Sequence, residues 1–174
     1  MMFVFCAWND KNPSVELDIY GEQYIRLIDT CFKNCRYFTL NESRQGTRFD
    51  LPEKELDNWP ARQYPPLGKT HLYLCSDKTK EYLLSRVDSL FSWITWGTNI
   101  DEQNGGLIPE DLCFFRSDGS VFLWSETHEG VCVLCPKPDE DVSIVISSEG
   151  WCANIANNLY EIPTGLEEYN IFLR

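Results

Sequence analysis

Ser125-Glu126-Thr127-His128-Glu129-Gly130 is the densest polar cluster in the chain. It sets an imidazole beside two carboxylates at the end of a strand-like run, the residue types that a general base or a hydrolytic metal site requires. No second element supplies a nucleophile or an oxyanion donor to meet His128, and a histidine in a polar turn commonly does no chemistry. His128 with Glu126 and Glu129 is therefore the alternative catalytic site, for a hydrolase or a metal-dependent enzyme. A binding role is expected ahead of it, because no motif in the sequence names a reaction.

The cysteines offer two further arrangements. Cys132-Val-Leu-Cys135 has the C-x-x-C spacing, but it lies in a run with strand character. Positions three apart on a strand point to opposite faces and share neither a metal nor a redox disulfide. Cys31 and Cys35 stand one helical turn apart, and with another cysteine and His71 they would make a metal-ligand set. They also fall on the apolar face of their helix, where cysteines pack as small hydrophobes. Asp101, Glu102, Glu110, Asp111 and Asp118 do not follow the ligand order of a calcium loop, and Gly105-Gly106 belongs to no phosphate-cradling motif. Two histidines in the whole chain exclude most histidine-rich hydrolase centres. No cofactor and no metal is expected.

Charge gives a positive indication. The 174 residues carry a net −12, and the imbalance is concentrated: residues 1–97 sum to −1, whereas residues 98–174 hold 14 acids against Arg116, Lys137 and Arg174, a net of −11. Such a surface repels phosphate backbones and anionic head groups and attracts cations, so nucleic acid and membrane surfaces are disfavoured and a basic protein is the expected partner. Of the six tryptophans, Trp96 falls beside the acidic stretch. Aromatic anchors rimmed by charge suit a protein interface. Trp96, Asp101, Glu102, Glu110 and Asp111 are accordingly the expected contact surface.

The elements that must position these residues follow from periodicity. Tyr24, Leu27, Ile28, Cys31, Phe32 and Cys35 recur on one helix face. Ser76-Asp77 offers capping oxygens for a second helix over 78–95, with Leu83, Val87, Leu90 and Ile94 as its inner stripe. Met2–Trp8, Tyr37–Asn41, Thr47–Leu51, His71–Cys75, Asp111–Arg116, Val121–Thr127, Val131–Cys135 and Val142–Ser147 read as strands. Tyr37–Asn41 and Thr47–Leu51 should form a hairpin, Pro52–Trp59 a helical turn, Trp151–Tyr160 a short helix and Tyr169–Leu173 a closing strand. The fold class expected is α+β, a largely antiparallel sheet with two main amphipathic helices on one face and the other face or an edge left for solvent or a partner. One domain over 1–174 is expected, with the Pro-rich loop 60–69 the point at which it would subdivide. No apolar run approaches the roughly 20 residues of a membrane span, and Met2–Trp8 is too short for a secretory signal. Reduced cysteines and a cytoplasmic location are expected on that basis.

Leu107–Arg116, Val121–Gly130 and the helix-to-strand passage Tyr24–Leu40 resemble a family of small bacterial proteins, some of which carry the label stage III sporulation protein AH. The resemblance covers about two-thirds of the chain. It implies a sporulation-associated structural component as a further alternative and carries no site residues. A small acidic domain of this kind is also similar to an immunity protein that occludes a basic toxin, which is the form of partner binding expected here.

Overall fold

An amphipathic helix and a β meander organise the chain. The computed structural model describes residues 1–7, 17–41, 54–56, 70–86, 88–91, 110–154 and 166. Its strands are β1 (Met2–Cys6), β2 (Tyr37–Asn41), β3 (Lys54–Leu56), β4 (Thr70–Leu74), β5 (Glu110–Phe115), β6 (Val121–Glu126), β7 (Val131–Leu134) and β8 (Trp151–Asn154). They form one sheet in the order β3-β4-β2-β5-β6-β7-β1-β8, with every described pair antiparallel. The fold is α+β.

Helix α1 (Glu22–Asn34) forms as its periodicity predicts, burying Tyr24, Leu27, Ile28 and Cys31. Glu22 in its first turn and Lys33 in its last complement the helix dipole. Phe32 reaches the sheet and packs against Phe38 and Phe114, at ring separations of 5.6 and 5.5 Å. Helix α2 (Asp77–Arg86) starts at the expected cap: the Ser76 hydroxyl accepts the Thr79 N–H at 3.3 Å and the Thr79 hydroxyl accepts the Ser76 N–H at 2.9 Å. It is shorter than the 78–95 expected. Asp88–Phe91 instead lies along Ile19–Gly21: Leu90 N–H donates to the Ile19 carbonyl at 2.9 Å and Gly21 N–H to the Asp88 carbonyl at 3.0 Å. The Asp18 carboxylate accepts the Phe91 N–H at 2.9 Å. Leu90 and Phe91 stay buried, but as part of this strap rather than of a helix stripe.

Four other expectations are corrected. Both edges of β2 are occupied, by β4 and β5, which leaves no ladder for a hairpin with Thr47–Leu51; that segment lies outside the described residues. Lys54–Leu56 is a strand on the outer edge of β4 rather than part of a helical turn. The segment expected as a strand at Val142–Ser147 is a short helix, α3 (Ser143–Ile146), started by Asp141, whose carboxylate accepts the Ser143 N–H at 3.0 Å. Trp151–Asn154 is a strand and not a helix, set off by Gly150 at φ +95°, where a Cβ would clash with the Phe5 ring. Tyr169–Leu173 and loop 60–69 lie outside the described residues.

From β4 to β1 the sheet is buried on both faces. One row, Tyr73, Phe38, Phe114, Leu123, Leu134 and Phe3, runs across the sheet on the α1 side. The opposite row is Leu72, Thr39, Cys113, Trp124, Val133 and Val4. The expectation left either this second face or an edge of the sheet for solvent or a partner. The face is apolar and covered: Leu72, Cys113, Phe115 and Val121 pack with Leu166, whose N–H donates to the Gly119 carbonyl at 2.8 Å. Met2, Val4, Val131 and Val133 form a neighbouring cluster on it.

Candidate functional site

The His128 turn is held by its neighbours. Thr127–Glu129 is a single 3-10 turn closed by Gly130 at φ +61°. Thr127 N–H donates to Asp111 Oδ1 at 2.7 Å, and Asp111 N–H donates to Thr127 Oγ1 at 3.0 Å. This reciprocal pair holds Asp111 at φ +54°, a left-handed conformation that Asp tolerates better than most residues. Asp111 is 3% exposed. Its place in the expected contact surface is thus corrected: the carboxylate turns inward to fix the start of β5 and is not presented to a partner. Glu110 opens β5 opposite Asn41. Glu126 is half-buried and Glu129 exposed, so the two carboxylates of the alternative catalytic cluster sit in different environments. Trp96, Asp101, Glu102 and the His128 side chain lie outside the described residues.

The charged centre that sequence reasoning missed is Arg116 with Glu140. Arg116 follows β5 and is 6% exposed. Its Nε and Nη2 each reach one Glu140 carboxylate oxygen at 2.6 Å, a bidentate pair. Nη2 also donates to the Cys135 carbonyl at 2.6 Å and Nη1 to the Val121 carbonyl, while the guanidinium lies 5.2 Å from the Phe122 ring centre. Glu140 accepts the Lys137 N–H at 2.6 Å as well. Burial pushes its carboxyl upward, but the Arg116 hydrogen bonds and charge, with that N–H, hold it below the ordinary value. Beside it, Lys137 Nζ binds Asp118 at 2.7 Å, and Ser120 donates to the same carboxylate through its N–H and its hydroxyl. These contacts put Asp118 well below the usual carboxylate range. The signal in the sequence was an arginine ending an apolar strand, a residue almost never buried without a partner.

The thiols are packing groups. All eight cysteines are thiols outside any disulfide. Cys132 belongs to the α1-side core while Cys135 packs against the Val133 cluster, so the C-x-x-C pair does face opposite ways. Cys31, Cys35 and Cys75 gather beneath α1. Burial pushes Cys75 up to about 12 and Cys135 up to about 11, and raises Cys31, Cys35 and Cys132 further. Protonated thiols are poor nucleophiles and poor metal ligands. His71 is four residues from Cys75 along β4, roughly 13 Å at strand rise, too far to share an ion with it. Among the described residues no three His, Cys, Asp or Glu side chains are placed to hold a metal, and no helix is long and apolar enough to cross a membrane.

Several carboxylates of the second half are exposed, and one of them, Glu149, stands two residues before an exposed strand. Glu129, Asp139, Asp141 and Glu149 all face solvent, with exposed Ile144 on α3 among the last three in sequence. On β8, at the end of the strand order, Cys152 and Ala153 lie on opposite faces of the sheet and both are exposed. No family model, curated protein or solved structure matches the chain.

Proposed function

We propose that this chain is a non-enzymatic protein-binding domain that docks a basic protein on its acidic second half, in the manner of an immunity protein occluding a basic toxin. One observation carries the reading. In the described part of residues 98–174 both cations are already paired, Arg116 with Glu140 in the interior and Lys137 with Asp118 on the surface. Each pair is neutral, so the net field of this half is that of its remaining carboxylates, one of which, Asp141, has Lys33 of α1 near it. Such a field accelerates encounter with a basic partner and disfavours acidic ones.

The test is capture on the immobilised protein from a lysate of the source organism, at low and at moderate salt, with bound proteins identified by mass spectrometry. The expected result is one basic protein in stoichiometric amount, retained less well as salt shortens the screening length toward about 10 Å. Retention of an acidic protein, or of nothing at either salt, would overturn the reading.

A further inference from the structure

We infer that β8 is the strand on which the partner is read: an extended, lysine- or arginine-bearing segment of the basic protein adds beside it as a further antiparallel strand. This rests on the function proposed above and names how the partner engages. An edge strand presents a row of outward N–H and C=O groups, and proteins ordinarily guard such a row with charge, proline or a bulge. Trp151-Cys152-Ala153-Asn154 carries no charge and no proline, and its register with β1 runs without a shift from Met2 opposite Asn154 to Phe5 opposite Trp151. Its base is rigid, since Trp151 packs edge-on against Phe5 at 5.7 Å and Gly150 lets the chain pass tightly over the same ring. Its far end is open on both faces, at Cys152 and Ala153. From β4 to β1 the sheet is buried on both faces, and among the described residues no strand pairs with the outer edge of β8.

Charge selects the occupant. A second copy would bring another −12 toward the first, whereas a basic segment laid along β8 would meet Glu149, two residues before the strand and exposed, and the surrounding acidic field. Main-chain hydrogen bonds then give affinity and the alternate side chains give selectivity, the usual mode of strand addition.

The probe is an octapeptide of alternating lysine and valine, compared with the same peptide N-methylated at every residue, which keeps the charge and removes the backbone donors. Binding is followed by the amide NMR signals of the 15N-labelled full chain. The expected result is that the unmodified peptide shifts the Cys152 and Ala153 amides and binds at least tenfold tighter than the methylated one. Equal affinity of the two peptides, or shifts confined to the acidic surface away from β8, overturns the edge proposal and leaves docking by charge standing. Movement of the β8 signals with protein concentration alone assigns the edge to a second copy and overturns it too. Failure of the unmodified peptide to bind at low salt also overturns the edge, with the capture experiment still deciding the function.

Discussion

The two halves of the chain differ in how their charges balance and in where one cation is placed. In residues 1–97, acids and bases nearly balance, and described ion pairs such as Arg26 with Glu22 and Lys80 with Asp29 lie on the surface, where they cancel the field locally. In residues 98–174 acids far outnumber bases; of the two described cations Arg116 is buried against Glu140, while Lys137 pairs with Asp118 at the surface. Each pair takes out one acid with one base, so the net −11 of the second half is unchanged by the pairing. Arg116, which ties a β hairpin to the loop before α3, serves the fold and with Glu140 beside it adds no net charge.

The largest effect expected from breaking this contrast is at Arg116. Arg116→Ala leaves Glu140 buried beside an unfilled space, and the loss in urea unfolding should be about 3–5 kcal/mol. Arg116→Met combined with Glu140→Leu should recover most of it, since the cost arises from the unpaired charge; a double variant as unstable as the single one would show that packing, not charge, holds the junction. Asp111→Ala comes next, at about 1–3 kcal/mol, because the Thr127 N–H loses its acceptor in a buried place and alanine tolerates φ +54° poorly. Asp111→Asn, which keeps an acceptor oxygen and tolerates the conformation, should lose clearly less.

The pH dependence sharpens the comparison further. Glu140 lies below its ordinary value, so its stabilisation is complete above that value and is lost as the pH falls through the lower folded one. Asp18, in the first half, behaves oppositely. Burial raises it against the N–H bonds from Phe91, Ile19 and Leu90, so its contribution is full below the ordinary value and is lost as the pH rises through the folded one. Unfolding midpoints between about pH 2 and about pH 6 should fall less steeply on acidification in Glu140→Gln than in the wild type, and more steeply in Asp18→Asn. Parallel profiles for all three proteins would contradict both assignments. The smallest effect is expected at the surface pair of the first half: Arg26→Ala should change stability by about 0.5 kcal/mol or less.

Elements whose signal is local were legible in the sequence. The α1 stripe, the Ser76 cap and the meander of β5, β6 and β7 follow from periodicity and turn residues that act over a few positions. What escaped depends on distant neighbours. Leu90 and Phe91 have helix spacing, yet their backbone bonds go to Asp18 and Ile19, some 70 residues earlier. Val142–Ser147 is rich in β-branched residues, but it forms a helical turn, with the Asp141 carboxylate accepting the Ser143 N–H just before it. The burial of both faces did have a signal, the unbroken apolar runs Leu112–Phe115 and Val131–Leu134, which mark strands covered on both sides. At the candidate site, the charge asymmetry was visible in composition. The Arg116–Glu140 pair was not, because its partners are 24 residues apart, and the inward turn of Asp111 follows from one backbone angle that no pattern reports.

The most direct test of the central claim is the association rate of the captured basic partner, measured against ionic strength for the wild type and for the variant Asp139→Asn/Asp141→Asn/Glu149→Gln. These three exposed carboxylates contribute to the field without entering the Arg116 or Lys137 pairs. The predicted result is a steep fall in rate with salt for the wild type, a slower low-salt rate for the variant and a shallower slope. A rate that is the same in both proteins and indifferent to salt would contradict docking by the acidic half.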